Sequence, residues 1–263
     1  MMEQAILGAF EGGLEILDVY GTEFAVDVKE DKSPLTEADR RAHIRIMEHL
    51  EGTGIPILSE EGKHLSYQER KGWTRFWLVD PLDGTKEFVK RNGEFTVNIA
   101  LVEDGVPVSG VIYVPVKDEM YIGIKGMGSV KINNYRSIHS TQIDLESLFS
   151  QGEKLPVESE RKTYMMVGSR SHMSDETMDY MERMKAEHGE VEIVSMGSSL
   201  KLCLVAEGVA DVYPRFAPTM EWDTGAGQAI AINAGCMVTQ KDEKTPLRYN
   251  KEDLLNPWFI VKR

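Results

Sequence analysis

The chain has 263 residues, of which 41% are hydrophobic and 28% charged, which is ordinary usage for a globular protein of one large or two modest domains. These proportions exclude a disordered, collagen-like or disulfide-rich chain. The formal net charge of −13 argues against nonspecific binding to a nucleic acid polymer or an anionic membrane surface.

The pattern of apolar and basic residues predicts neither a membrane span nor an export signal. No run of eighteen apolar residues occurs, and the first residues lack a basic region before Glu11 and Glu15. We therefore expect no integral membrane segment and a cytoplasmic location, with peripheral membrane association left open. Cys203 and Cys236 stand far apart without a CxxC pattern, so we expect buried thiols rather than a zinc or redox pair.

The first fifty residues predict two helices. Apolar residues recur at helical spacing from Ile6 to Val19 and again from Ala42 to Leu50. Thr36 is placed to cap the second helix, which puts Asp39 in its first turn. Taken alone, Asp39 would serve equally well to compensate the helix dipole.

Short apolar runs and a meander follow. Residues 55–58 and 76–79 predict strands, the first delivering Glu60 into a turn and the second ending at Asp80. From 95 to 132 the residues alternate, are rich in β-branched side chains and are interrupted by turn sequences, which predicts an antiparallel meander. This half of the chain is typical of an α+β domain.

The remainder of the chain alternates strands and helices. Residues 139–161 are polar and weakly patterned and predict a connection. Beyond it, strands are predicted at 164–168, 191–194 and 211–213, and helices at 175–188, 198–210 and 223–234. The prediction is an N-terminal α+β domain over residues 1–155 and a C-terminal α/β domain over residues 156–263.

The segment around Asp80 carries the most informative chemistry. Pro81 follows Asp80, and a second aspartate, Asp83, precedes Gly84 and Thr85. The turn brings two carboxylates together beside the carbonyl of Leu82, and a helix opening near Thr85 would aim free N–H groups at the same space. All-oxygen ligands beside amide donors indicate a metal–phosphate site and favour Mg²⁺. The same dipeptides also suit an Asx-type turn without an ion.

A second acidic segment is Trp222-Asp223-Thr224-Gly225-Ala226-Gly227. It places Asp223 at the start of a helix of small residues, where the carboxylate would also suit an N-cap with no other role. The glycines do not complete a dinucleotide-binding GxGxxG, so we expect them to allow close helix packing.

Four separated motifs resemble, in residues and in order, the magnesium-dependent, lithium-sensitive inositol monophosphatase superfamily. They are Thr36-Glu37-Ala38-Asp39, Ser59-Glu60-Glu61, residues 77–85 and residues 222–227. Residues 86–101, Gly197-Ser198-Ser199-Leu200-Lys201 and Tyr213-Pro214-Arg215-Phe216 are most similar to its 3'(2'),5'-bisphosphate nucleotidases of the CysQ type. The resemblance spans most of the chain. It implies mixed α/β and α+β structure in a five-layered αβαβα sandwich of the inositol monophosphatase/fructose bisphosphatase type, with metals between the two halves.

The resemblance also implies roles for individual residues. Glu60, Asp80 and the Leu82 carbonyl would hold one Mg²⁺, and Asp80, Asp83 and Asp223 a second, with two or more ions expected and Li⁺ inhibitory. Asp39 and Thr85 would form the catalytic pair that orients and deprotonates the attacking water. Substrate would be bound by Gly84, Thr85, Ser198, Lys201, Arg215 and His172. The role of Glu61 stays open.

The implied activity is Mg²⁺-dependent hydrolysis of the 3'-phosphate or 2'-phosphate of adenosine 3'(2'),5'-bisphosphate to AMP and phosphate, with a place in sulfur metabolism. The residues agree with metal-activated water as the nucleophile, because no Ser-His or Cys-His arrangement is evident and the six histidines form no HExxH. Lys201 and Arg215 suit a second phosphate, although either would also suit an exposed surface.

Two other functions remain open from the residues alone. The first is an inositol or sugar monophosphatase of the same superfamily, and the second is a non-catalytic, metal-dependent nucleotide-binding protein. In each case the expected partner is a small molecule and not a nucleic acid polymer. The chain is expected to act as a monomer or homodimer.

Overall fold

The computed structural model describes residues 1–22, 26–28, 34–63, 65–158, 160–168 and 173–263. Its helices are α1 (Met2–Tyr20), α2 (Glu37–Leu50), α3 (Tyr67–Arg70), α4 (Thr85–Lys90), α5 (Tyr135–Ile138), α6 (Leu145–Gln151), α7 (Asp175–His188), α8 (Leu200–Glu207) and α9 (Glu221–Asn233). Its strands are β1 (Val26–Val28), β2 (Pro34–Thr36), β3 (Ile57–Ser59), β4 (Arg75–Asp83), β5 (Thr96–Glu103), β6 (Val106–Val114), β7 (Glu119–Ile124), β8 (Gly128–Asn133), β9 (Glu153–Leu155), β10 (Tyr164–Val167), β11 (Val191–Val194), β12 (Val212–Arg215), β13 (Met237–Gln240) and β14 (Phe259–Lys262).

Two large sheets organise these elements. The first has seven strands in the order β3-β4-β5-β6-β7-β8-β9, antiparallel except for the parallel pair β3 and β4. The second has five strands in the order β11-β10-β12-β14-β13, with β10, β11 and β12 parallel and the last two strands antiparallel. The predicted domain boundary at residue 155 falls at the end of β9, the last strand of the seven-stranded sheet.

The sheets and helices stack in five layers. Alternate residues of β4 face opposite sides of the seven-stranded sheet, so Trp77 packs beneath α1 and α2, whereas Leu78 faces α8 and α9. The pair α8 and α9 lies between the two sheets, and α7 covers the far face of the five-stranded sheet through Tyr180 and Met184. The αβαβα order expected from the motifs is therefore confirmed.

Small residues set the position of α9 against the seven-stranded sheet. A Cβ atom at Gly225 would lie 2.7 Å from the Leu78 side chain, and one at Gly227 would lie 2.8 Å from Leu202 in α8. From the sheet side, a Cβ at Gly110 would lie 2.6 Å from the carbonyl oxygen of Ala226. The expectation that the glycines of this helix allow close packing is confirmed.

The strand predicted to end at Asp80 continues to Asp83. The register of β4 against β5 shifts from Asp80 opposite Asn98 to Asp83 opposite Thr96, so Pro81 and Leu82 of one strand oppose the single residue Val97 of the other. Such a bulge accommodates Pro81, which has no N–H to give to the ladder. The strand is thereby bent where its two carboxylates lie, instead of ending between them.

Other differences concern polar or short elements. The segment 139–161, predicted as a connection, contains α6 and β9, and β9 pairs as an outer strand where polar residues are tolerated. The elements α3, α5, β1, β13 and β14 were not predicted. The helix predicted from 223 begins at Glu221, which places Asp223 third in the helix rather than at the N-cap.

Two predictions from composition can be compared with the structure. Among the residues described, no helix combines the length and apolar character needed to cross a bilayer. Cys203 and Cys236 are both buried and free, as expected.

Candidate active site

Three carboxylates from three different elements meet at one end of the seven-stranded sheet. Glu60 follows β3, Asp80 lies at the bulge of β4, and Asp223 stands in the first turn of α9. Each offers an oxygen within 4.8 Å of the others. The first two meet because neighbouring parallel strands end at the same edge, and α9 carries the third across from the other half of the molecule.

The bulge of β4 arranges oxygen atoms around this cluster. Asp80 is 1% exposed, and its Oδ1 accepts a hydrogen bond of 3.1 Å from the N–H of Leu82. The Asx-type turn considered as an alternative is therefore present, but it leads into a carboxylate cluster. The hydroxyl of Thr85, the first residue of α4, donates to the Leu82 carbonyl at 3.4 Å.

Asp83 lies beside this triad and contacts the start of α8. Its Oδ2 accepts from the backbone N–H of Ser199 at 2.5 Å and lies 3.5 Å from Nδ2 of Asn98. It also lines the same cavity of about 190 Å³ as Asp223. The predicted fourth carboxylate is thus at the site, held by the other half of the molecule.

The acidic cluster is electrostatically strained without a counter-charge. Burial raises the pKa of Asp80 well above its usual value, and the charges of Glu60, Asp83 and Asp223 raise it further. Burial likewise raises the pKa of Asp83 and, with the neighbouring Asp83 charge, raises that of Asp223 to about 8. Protons or cations relieve such repulsion, and an all-oxygen donor set suits Mg²⁺.

The predicted catalytic pair lies at the same end of the sheet. Asp39 is 2% exposed in the first turn of α2, and its charge contributes to the raised pKa of Asp80. The helix begins at Glu37, directly after Thr36, but the side chain of the predicted cap, Thr36, lies outside the described residues.

The two predicted cations line a cleft that opens from the acidic cluster. Lys201 and Arg215 border both the 190 Å³ cavity and a larger one of about 470 Å³, which is also lined by Met196 and Phe216. Burial lowers the pKa of Lys201, against the opposing effect of the Asp83 charge. Ser198 borders the smaller cavity, and neither its buried Oγ nor the buried Nε of Arg215 has a hydrogen-bond partner in the part of the chain described. These polar atoms are suited to an anionic ligand.

Gly84 lines the same cavity as Asp83 and Lys201. It has a φ of +91°, and an added Cβ would lie 3.2 Å from Ser198 and 3.3 Å from the carbonyl oxygen of Glu94. Glu61 lies in the turn after β3, where its charge acts on His43. The predicted substrate residue His172 lies outside the described residues.

Several buried polar residues around the site were not singled out from the sequence. Asn98 is the third residue of the otherwise mostly apolar strand β5, and a buried amide there is unusual enough to have served as a signal. Glu221 is fully buried, and its carboxylate accepts from the N–H groups of Asn250 and Lys251 and from Lys251 Nζ. Arg70 holds the other side of that loop through Asn250 Oδ1 and two backbone carbonyls. We call Arg70, Glu221 and residues 250–252 the 250-loop clamp.

Comparison with known proteins gives a consistent result. The chain matches the model of the inositol monophosphatase family over residues 1–261. It is 43% identical over 265 residues to the 3'(2'),5'-bisphosphate nucleotidase CysQ of Salmonella typhimurium and 42% identical over 266 residues to that of Escherichia coli, covering 99% of this chain and 99% of the relative in each case. The structure of CysQ from Bacteroides thetaiotaomicron is 54% identical with a TM-score of 0.91, covering 98% of this chain and 95% of that one. The suhB protein of Bartonella henselae, 24% identical with a TM-score of 0.72 over 100% of this chain and 93% of that one, shares the fold.

Proposed function

Because the chain belongs to the inositol monophosphatase family of metal-dependent phosphatases, we propose that it is a 3'(2'),5'-bisphosphate nucleotidase. It hydrolyses the 3'-phosphate or 2'-phosphate of adenosine 3'(2'),5'-bisphosphate and releases AMP and phosphate. The observation that carries the proposal is that an acidic cluster opens directly into a cleft with two cations, Lys201 and Arg215. The phosphate that is hydrolysed would lie at the acidic cluster, and the second phosphate would lie at the two cations of the same cleft.

The acidic residues fit a divalent cation through their oxygen donors and their mutual repulsion. Glu60, Asp80, Asp83 and Asp223, with the carbonyl of Leu82, would hold two or more Mg²⁺ ions. When bound, these ions polarise the phosphate oxygens and lower the pKa of a bound water. We expect Li⁺ to inhibit, since it competes for positions with oxygen ligands.

Two further side chains handle the attacking water. Asp39, buried beside the cluster, accepts the proton of the water, and the Thr85 hydroxyl orients that water. The Thr85 hydroxyl makes a long bond of 3.4 Å to Leu82 and is free to rotate towards the water. No nucleophilic side chain is required, so hydrolysis proceeds by direct attack.

Lys201, Arg215 and Gly84 select the substrate. Lys201 supplies a point charge and Arg215 a planar pair of donors to the 5'-phosphate, with the Ser198 hydroxyl alongside. Gly84 leaves room between the two phosphate positions. The 470 Å³ cavity accommodates the nucleoside, and we expect His172 to border the base.

The decisive experiment is a phosphate-release screen with and without Mg²⁺. Its substrates are adenosine 3',5'-bisphosphate, inositol 1-phosphate and fructose 1,6-bisphosphate, and we expect the bisphosphate nucleotide to have the highest kcat/KM, only with Mg²⁺ present. Preference for inositol 1-phosphate would favour a sugar or inositol monophosphatase. Nucleotide binding with no release from any ester would favour a non-catalytic binding protein.

We further propose a cytoplasmic enzyme, acting as a monomer or homodimer, that removes the bisphosphate by-product of sulfate activation. The relatives named 3'(2'),5'-bisphosphate nucleotidase CysQ, which match over nearly the full chain, support the bisphosphate as the compound removed. Light scattering after gel filtration measures the subunit number, and the bisphosphate level in cells lacking the protein measures the role.

A further inference from the structure

A line of buried polar side chains leads from β5 to the carboxylate of Asp83. Thr96, Asn98 and Ser199 are 0%, 1% and 2% exposed. The Thr96 and Ser199 hydroxyl oxygens are 2.9 Å apart, and Ser199 Oγ lies 2.8 Å from Asn98 Oδ1. Asn98 Nδ2 completes the line, 3.5 Å from Asp83 Oδ2.

The direction of each hydrogen bond follows from the donors available. Asp83 as a carboxylate only accepts, so the nearer group of Asn98 must be its NH₂, which leaves Oδ1 to accept from Ser199. Ser199 then has no hydrogen left for Thr96, so the Thr96 hydroxyl must donate to Ser199. Each of the three side chains then donates once along the line, which runs in one direction from Thr96 to Asp83.

The line crosses between the two halves of the molecule. Thr96 and Asn98 belong to the seven-stranded sheet, whereas Ser199 immediately precedes α8, and its backbone N–H also donates to Asp83. Both contacts fall on the same carboxylate oxygen, Oδ2. Hydrogen bonds from the protein therefore hold Oδ2 of Asp83, and they fix the direction in which Oδ1 points.

We propose that Thr96, Asn98 and Ser199 are positioning residues, which orient Asp83 so that its Oδ1 is presented to a divalent cation. This inference rests on the proposed function, because it takes Asp83 as a metal ligand. Residues behind a ligand that set its orientation typically change metal affinity about 10-fold to 100-fold when they are removed. Ser199 also adjoins Ser198, so the same line joins the metal ligand to the segment that binds substrate.

Two substitutions each interrupt this line of hydrogen bonds without adding bulk. Thr96→Val keeps the shape of the side chain and removes the first donor, and Ser199→Ala keeps the backbone N–H bond to Asp83 but removes the hydroxyl. Thr96→Ser restores the donor. The matched control is Ser129→Ala, which removes a buried hydroxyl that donates to the Ile230 carbonyl at 2.7 Å, away from the acidic cluster.

We expect Thr96→Val and Ser199→Ala to raise the Mg²⁺ concentration for half-maximal activity about 10-fold, with KM for nucleotide changed much less at saturating Mg²⁺. Calorimetric titration with Mg²⁺ in the absence of substrate should show the same loss of affinity. Thr96→Ser and Ser129→Ala should bind Mg²⁺ like the original protein, whatever their melting temperatures.

The inference is overturned if Thr96→Val and Ser199→Ala bind Mg²⁺ normally, or if Ser129→Ala loses as much affinity as they do. If either Thr96→Val or Ser199→Ala does not fold, the Mg²⁺ affinity of the other, compared with that of Thr96→Ser, still tests the inference. If the original protein binds Mg²⁺ but hydrolyses no ester, the proposed function fails, and the calorimetric comparison alone tests the positioning role.

Discussion

The carboxyl group of Asp223 connects metal binding to pH at the scale of a single residue. Its pKa is raised from the usual value of an aspartate to about 8 by burial and by the charge of Asp83. In the metal-free protein the folded state therefore holds a proton that the unfolded chain releases. The contribution of this proton to the free energy of unfolding is fully present below about pH 4, the pKa of the group in the unfolded chain. It is lost as the pH rises through the folded-state pKa of about 8.

Added Mg²⁺ should reverse this dependence, because the ion binds the deprotonated carboxylates. We expect the rise in melting temperature caused by Mg²⁺ to be larger at pH 8.5 than at pH 6, and we expect binding to release protons. Calorimetry in two buffers of different ionisation enthalpy measures the proton release. Equal Mg²⁺ stabilisation at both pH values would contradict the assignment of these carboxylates.

Lys201 is the residue on which substrate selection is most directly testable. A hydrogen bond to a charged group contributes about 1.5–3 kcal/mol, so Lys201→Ala should lower kcat/KM for adenosine 3',5'-bisphosphate by roughly 10-fold to 100-fold. It should change the rate with a simple monophosphate much less. Lys244→Ala, at an exposed position, is the control. Equal losses on both substrates would assign Lys201 to the reacting phosphate instead.

Position alone, at the end of an apolar run or the start of a helix, also suited a turn or a helix cap, and the carboxylates could be found because the motifs that contain them resemble a known family in residues and in order. Asp39, Asp80 and Asp223 were recognisable in this way, and the structure brings them to one end of the sheet. Asn98 and Glu221 were not found, since their partners are 101 and about 30 residues distant in the chain and no local spacing records such contacts.

At the scale of elements, the strongly periodic segments were predictable and the irregular ones were not. The helices α1, α7 and α9 follow the spacing of apolar or small residues to within a few positions. The bulge in β4 was missed because Asp-Pro and Asp-Gly are turn sequences, whereas pairing with β5 holds them in a bent strand. The outer strand β9 was missed because it has no apolar pattern to detect.

The close approach of α9 to β6 gives a prediction about Gly110. A Cβ there would meet the backbone of Ala226 at 2.6 and 2.9 Å, and a helix backbone cannot yield as a side-chain end can. We expect Gly110→Ala to push α9 from the sheet, to lower the free energy of unfolding by about 1–3 kcal/mol and to displace Asp223 with the helix.

Urea unfolding and Mg²⁺ titration measure the two effects of Gly110→Ala. Gly21→Ala is the control, because its added Cβ would lie within 4 Å of no atom of the described residues beyond its own chain neighbours. A Gly110→Ala protein with unchanged stability would mean that α9 is free to shift, and the packing argument would then be wrong.

At the scale of the whole molecule, the 250-loop clamp joins the two halves behind the active site. Glu221 is fully buried and lies two residues before Asp223, and Arg70 reaches the same loop from α3. Glu221→Ala would leave two backbone N–H groups without their acceptor, while the Lys251 ammonium would keep its bond to the Arg248 carbonyl. Because the Lys251 side chain is partly exposed and can be hydrated, the expected loss of stability is that of buried donors left unsatisfied, about 1–3 kcal/mol.

The free energies of unfolding of Glu221→Ala and Glu187→Ala, measured by chemical unfolding, distinguish loss of the clamp from the loss of one negative charge. Glu187 has an exposed side chain, so its removal should change the free energy of unfolding by less than about 0.5 kcal/mol. If Glu221→Ala were as stable as Glu187→Ala, the clamp would contribute nothing to joining the halves.

The position of α9 between the two sheets also affects how the chain is made. On the ribosome, the strands of the seven-stranded sheet emerge long before residues 221–233, so the sheet face carrying Phe76, Leu78 and Ile112 has no helix to cover it. Exposed apolar surface of this kind makes incomplete chains prone to aggregate. We therefore expect nascent chains shorter than about 235 residues to depend on chaperones, and a protein truncated before α9 to accumulate in inclusion bodies.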